Sequence, residues 1–380
     1  MEKAQELQLQ ITNHEKKEAN SVAHTNANMI TNQFPTELEQ RNYKRWLRTA
    51  LYAVFVLAGQ ATATLLGRLY YDKGGKSKWI GTLVQLVGFP VLIPYYLICI
   101  LSKNPTSNGN HFHPKKPSLI VLSSAYVGLG LLIAGVCFLS SVGLLYLPLS
   151  TFSLIFASQL GFTSIFSFFL NSQKFTPFIF NSVALLTVAS VLLIVQSNGS
   201  GALPGVSRGK YAIAFICTVG ASAGTGLSFA STQFVFRKVI KVRKVEALIE
   251  IIIFQCLVAS CVTMVGLFAC GEWKGLRTEI EEFELGKVSY VMTLVWTAIC
   301  WQVFAIGSVG LIFELSSLFS NVISALCLPL VQVLAVLAFN DKMDGLKGIS
   351  LFLAIWGFAS YIYQHYLDDY CKSNTDDPTA

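Results

Sequence analysis

The sequence predicts an all-α polytopic membrane protein with ten transmembrane helices, arranged as two inverted five-helix repeats. Three observations lead there. The first is composition: 53% of the 380 residues are hydrophobic and 13% are charged, with a mean hydropathy of +0.55. Soluble domains carry roughly 25% charged residues, so this chain cannot cover itself with polar surface. The second is a set of ten apolar stretches, each near the roughly 20 residues that a bilayer crossing needs. The third is internal repetition. Ser141-Val142-Gly143-Leu144 returns as Ser308-Val309-Gly310-Leu311, an offset of 167, and an aromatic follows two places on, Tyr146 or Phe313. The pairing continues through Ser150 with Ser317, Phe152 with Phe319 and Ser153 with Ser320.

Residues 1–44 are polar, rich in Asn, Gln, Glu and Lys, and lack the apolar core of a signal peptide. They read as a disordered cytosolic tail. The first repeat, 45–197, holds spans at Trp46–Leu69, Ile80–Leu101, Leu119–Leu147, Leu149–Leu170 and Phe178–Val195. An extracellular link, 198–210, leads to the second repeat, 211–367. Its spans fall at Tyr211–Phe236, Ala247–Ala269, Val288–Phe313, Leu315–Phe339 and Ile349–Tyr366, followed by a cytosolic tail, 368–380. The joints at Leu147-Pro148 and Phe313–Leu315 have almost no loop, and the offset favours ten spans over eight merged ones. An odd number of spans per repeat turns the second repeat upside down in the bilayer.

Basic residues ahead of the first span (Arg41, Lys44, Arg45, Arg48), between the sixth and seventh (Arg237, Lys238, Lys241, Arg243, Lys244) and between the second and third (Lys103, Lys115, Lys116) place both termini in the cytosol. Lys73, Lys76 and Lys78, beside Arg68, fall on the opposite side and dilute that bias. The sequon Asn198-Gly199-Ser200 falls outside in this topology. Most of the nine cysteines lie inside spans, where a thiol behaves as a small hydrophobe, and none has metal-ligand spacing. Anchoring against anionic lipid accounts for the net charge of +7. The bilayer is the expected partner; nucleic acid, cofactor and metal are not expected. An intramembrane enzyme is disfavoured, with no His-Glu-x-x-His, paired intramembrane Asp or workable Ser–His pair.

Pro90 and Pro94 interrupt the second span and Pro329 sits inside the ninth, predicting bends that serve either packing or alternating access. The small-residue run Gly220 to Gly226 predicts close helix contact in the sixth span. Polar side chains at mid-bilayer are costly and require a reason. Gln60, Gln159 and Gln302 fall near one depth on helices of both repeats, with Trp301 beside the last and Asn321 in the ninth span. Taken singly each is a strut or a ligand contact. Together, amides that donate and accept beside an indole face suit a neutral, planar, heteroatom-rich solute. The acids Glu250 and Glu314 are the candidates for a coupling proton; the competing reading pairs them with Arg237, Arg243 or Lys244. Glu279, Glu281, Glu282 and Glu284 read as a solvated loop.

Gly67-Arg68-Leu69-Tyr70-Tyr71, Gly74-Gly75-Lys76-Ser77-Lys78-Trp79 and Gly88-Phe89-Pro90 resemble motifs of the plant purine permease family, in the drug/metabolite transporter superfamily. So do Ser158-Gln159-Leu160-Gly161-Phe162-Thr163, Gln173-Lys174-Phe175-Thr176-Pro177, Trp301-Gln302 and Trp356-Gly357-Phe358-Ala359-Ser360-Tyr361. The resemblance runs from about Trp46 to Tyr366. It implies ten helices in two inverted repeats and a proton-coupled importer of adenine, cytokinins and related purines at the plasma membrane. Some family members handle alkaloids or vitamin-B6 compounds, which is the alternative substrate class. The expected mode is stacking near Trp301 with hydrogen bonds from Gln60, Gln159 and Gln302 while the repeats rock.

Overall fold

The computed structural model describes residues 43–101, 118–172, 207–241 and 245–339, with scattered helical positions between 177 and 188 and between 345 and 363. The chain divides between Leu51 and Tyr52; the bundle architecture belongs to the part that begins at Tyr52. The expected fifth and tenth spans are described only at those scattered positions. Most of both polar tails, the sequon at Asn198, and Lys103, Lys115, Lys116, Arg243 and Lys244 lie outside the described residues.

Helices are the regular structure among the described residues. They are α1 (Tyr43–Asp72), α2 (Lys78–Leu86), α3 (Ile93–Leu101), α4 (Leu119–Tyr146), α5 (Leu149–Ala157) and α6 (Gln159–Asn171) in the first half. The second half holds α7 (Arg208–Phe234), α8 (Val245–Ala269), the short α9 (Leu276–Glu282), α10 (Lys287–Glu314) and α11 (Ser317–Phe339). Among the described residues, six spans are long and apolar enough to cross a bilayer: α1, α2 joined to α3, α4, α7 with its extension, α8 and α10. Their outward faces are apolar, with Leu119 82%, Ile216 70% and Val265 68% exposed, which only a lipid solvent accepts at this scale. The starts of α1, α2, α4 and α5 precede those of α7, α8, α10 and α11 by 165 to 168 residues.

Prolines break the second span where the sequence places them. A 3₁₀ turn, Phe89–Leu92, separates α2 from α3. Pro90 sits in the first turn of that 3₁₀ segment and Pro94 in the first turn of α3, where a missing N–H costs little. By contrast α11 continues through Pro329. The segment expected as a fourth span is instead broken at Ser158 into α5 and α6. The hydroxyls explain the break. Ser158 Oγ donates to the Ile155 carbonyl at 2.7 Å and pairs with Ser222 Oγ at 2.8 Å, and Ser222 Oγ donates to the Phe156 carbonyl at 3.3 Å. Side chains thus take carbonyls that an unbroken helix would bond itself. α7 runs on into a π-helical stretch, Val235–Ile240, stopped by Lys241 at φ +55°.

Helix ends are closed by two arginines. Arg68 of α1 donates to the carbonyls of Leu144 (3.4 Å) and Leu147 (3.2 Å) at the end of α4, while also pairing with Asp72. Arg237 donates to the Asn171 carbonyl at 3.2 Å, where α6 ends. Where α1 meets α10 the backbones nearly touch: a Cβ on Gly59 would lie 2.7 Å from the Phe304 nitrogen.

The stretch expected as a solvated loop is a structured cap. It comprises a 3₁₀ turn, Glu272–Gly275, and α9, and it packs on the link between α1 and α2. Lys73 pairs with Glu284 at 2.8 Å, Lys76 with Glu282 at 3.0 Å and Lys78 with Glu272 at 3.9 Å. Glu279 is buried beneath them. Four glutamates in a short polar segment look alike in sequence, but only one faces inward on the turn of α9.

Candidate functional site

A cavity of about 170 Å³ lies inside the bundle, far above the roughly 10–15 Å³ that one water needs. Its wall draws on α1, α2, α4, α5, α6, α7, α8, α10 and α11, so both halves of the sequence build it. No Asp, Glu, Lys or Arg lines it among the described residues.

One hydroxyl organises the polar side of the wall. Ser324 Oγ of α11 donates to Gln60 Oε1 at 2.8 Å and accepts from Gln159 Nε2 at 3.3 Å. Gln60 is placed by α1 in mid-span, and Gln159 by the break at Ser158, as the first residue of α6. Gln159 Oε1 is buried with no partner, a state that native interiors rarely tolerate without a functional reason. Trp301 of α10 lines the same space and meets Phe304 edge to face at 5.4 Å. Gln60, Gln159 and Trp301 are therefore brought together.

The other candidates stand elsewhere. Gln302 is buried against the turn after α2, its Cβ 3.0 Å from where a Gly88 Cβ would be, and it is not on the cavity wall. Successive side chains on a helix point about 100° apart, and here Trp301 faces the cavity while Gln302 faces the turn after α2. Asn321 lies one layer behind, its Nδ2 donating to the main-chain carbonyl of Gln159 at 3.0 Å and to Thr163 Oγ1. Glu250 accepts from Tyr126 Oη at 3.2 Å, and Glu314 is buried at the end of α10; neither lines the cavity. Gln85 and Gln255 do line it and were not singled out from sequence. Gln85 Nε2 donates to Ser141 Oγ at 2.9 Å, and Gln255 Oε1 is buried without a partner. Mid-span depth, the criterion that singled out Gln60, would have found Gln255, whereas Gln85 lies in the first third of the span Lys78–Leu101.

A helical bundle that wraps lipid-facing spans around a largely apolar cavity, with a few amides and hydroxyls in its wall, is an integral membrane transport protein. A family model described as purine nucleobase transmembrane transport matches residues 47–370, and the chain belongs to that family. Purine permease 21 of Arabidopsis thaliana is 56% identical over 347 residues, covering 91% of this chain and 88% of the relative. Probable purine permease 10 of the same plant is 53% identical over 363 residues, covering 95% and 92%. These relatives are named as permeases, not as enzymes. A solved crystal structure, 16% identical, superposes with a TM-score of 0.55 over 83% of this chain and 95% of its own; that likeness concerns fold alone.

Proposed function

We propose that the protein is a secondary active transporter importing purine-like nitrogen heterocycles (adenine, cytokinins and related bases) by proton symport with alternating access. The observation that carries this reading is the chain Gln60–Ser324–Gln159 beside Trp301 in a cavity whose described lining is uncharged. Amides meet both donors and acceptors on a purine edge, and the indole covers a flat ring. A charged guest would find no counter-ion there, which is costly away from water. The guanidiniums of Arg68 and Arg237, which a phosphate-bearing solute would want, are bonded to helix-end carbonyls.

In this reading Gln60, Gln159 and Trp301 touch the solute, Asn321 braces Gln159 from behind, and Gln302 packs against the turn after α2. Glu250 and Glu314 are the sequence-derived candidates for the coupling proton. Two inverted five-helix repeats, 45–197 and 211–367, rock about the cavity, with both termini in the cytosol and the link 198–210 outside the plasma membrane. The regular spacing of helix starts supports that symmetry.

The test is uptake of radiolabelled adenine, a cytokinin and an alkaloid by cells expressing the protein, at external pH 5 and 8, with and without an uncoupler. Adenine and the cytokinin should accumulate, faster at pH 5, and an uncoupler should abolish it. Wild-type rate and affinity in Gln159→Ala would remove the site.

A further inference from the structure

One amide on the cavity wall has no partner and no part in the chain Gln60–Ser324–Gln159. Gln255 of α8 lines the cavity, is 3% exposed, and its Oε1 is buried without a hydrogen bond. Leaving such a group unpaired is costly, and native interiors keep few of them. Turning the amide over would only exchange an unpaired oxygen for an unpaired nitrogen. Its position relative to Trp301 follows from what packs on α10. Ala305, Ile306 and Val309 of α10 belong to the apolar cluster that holds Ile252 and Cys256 of α8. A Cβ on Gly59 of α1 would meet Cys300 and Phe304 of the same helix. Gln255 and Gln60 therefore adjoin neighbouring turns of α10, the helix that carries Trp301. Beyond α10, α8 packs on α2 and α4, whereas α11, with Ser324, packs on α6 and α7. The Gln255 amide and the Gln60–Ser324–Gln159 chain thus reach the cavity from different flanks of α10.

We infer, resting on the purine reading of this cavity, that Gln255 is a further solute-binding residue. It holds the edge of the base that Gln60 and Gln159 leave free. The last torsion of a glutamine is soft, so the amide turns to meet either a donor or an acceptor on that edge. The substrate class this selects is a flat bicyclic base with hydrogen-bonding atoms on two opposite edges. A purine has them, one set on its six-membered ring and one on its imidazole. With Trp301 against its face, such a base meets amides on both flanks. A monocyclic base reaches one flank and leaves the other unpaired.

Gln255→Met tests this, because it keeps the length of the side chain and removes the amide. The lost oxygen has no protein partner, so the variant should melt at or above the wild-type temperature. Its apparent KM for adenine should rise about 3- to 10-fold, the size of one neutral hydrogen bond, with the maximal rate kept. Competition by the two halves of adenine, 4-aminopyrimidine and imidazole, locates the contact. One half should inhibit the variant more weakly than the wild type, and the other should inhibit both proteins equally. A wild type that takes up no adenine would overturn the purine reading and this proposal together. Adenine uptake by the wild type with an unchanged KM in Gln255→Met would overturn the Gln255 assignment alone. So would a lowered melting temperature with both halves equally affected, the mark of a strut. Should Gln255→Met fail to reach the cell surface, Gln255→Asn withdraws the amide by one methylene. It should raise the adenine KM with the same one-sided pattern, and an unchanged KM would overturn the assignment.

Discussion

Asn321 holds Gln159 from behind: its amide donates to the Gln159 main-chain carbonyl at 3.0 Å, fixing the first residue of α6 against α11. The cavity-facing amide and its brace come from opposite halves of the sequence. The two should therefore fail differently. Gln159→Ala should raise the apparent KM for adenine by about 1–2 kcal/mol, roughly 5- to 30-fold, with little loss of thermal stability. Asn321→Ala should lower the melting temperature of the detergent-purified protein, since it removes a buried donor worth about 1–3 kcal/mol. Paired uptake and melting measurements separate the two.

Trp301 is the flat surface of the cavity. Trp301→Leu keeps an apolar side chain but loses the ring, and should weaken planar solutes by about 0.5–1.5 kcal/mol, roughly 2- to 10-fold in KM. Trp301→Phe should recover part of that loss. Equal KM values for all three proteins would take the indole out of recognition.

Packing between α1 and α10 depends on a missing side chain. Gly59→Ala would put a methyl against the backbone of Phe304 and Cys300, costing about 1–3 kcal/mol through forced separation. Gly128→Ala and Gly135→Ala on α4 have nothing within 4 Å and should be neutral or stabilising by up to about 1 kcal/mol. Thermal melts of the three variants provide the comparison.

Lys73 supplies a control for acid sensitivity. Its hydrogen bond to Glu284 holds the ammonium above the ordinary lysine range. A raised ammonium contributes fully below its unperturbed value of about 10.4 and is lost only as pH rises past it. Between pH 5 and 8 it stays charged, so Lys73→Gln should leave the pH 5 to pH 8 uptake ratio unchanged. A collapsed ratio in that variant would place the acid response at the rim of the cap.

Helix positions were legible because lipid imposes long apolar runs, and the helix starts that the structure describes fall within a few residues of where the pattern puts them. Depth was legible too: Gln60, Gln159 and Trp301, singled out by depth, all line the cavity. Facing was less so: Gln302 follows Trp301 by one residue and points elsewhere. The break at Ser158 was hidden because its partner hydroxyl, Ser222, lies 64 residues away. The burial of Glu279 was hidden for the same reason, with two donors to its carboxylate, Tyr70 and Ser77, more than 200 residues upstream. Long-range partners leave no local signature.

The interruption at Ser158 also bears on how the chain is put into the membrane. Its two pieces are nine and thirteen residues long, and neither reaches the roughly 20 that a hydrocarbon crossing takes. The Phe156 carbonyl at the fracture is covered by Ser222, on a helix that the ribosome has not yet made when α5 and α6 emerge. This segment must therefore settle after its downstream neighbour arrives, making late docking of α7 a step in biogenesis and a point where truncated chains should stall.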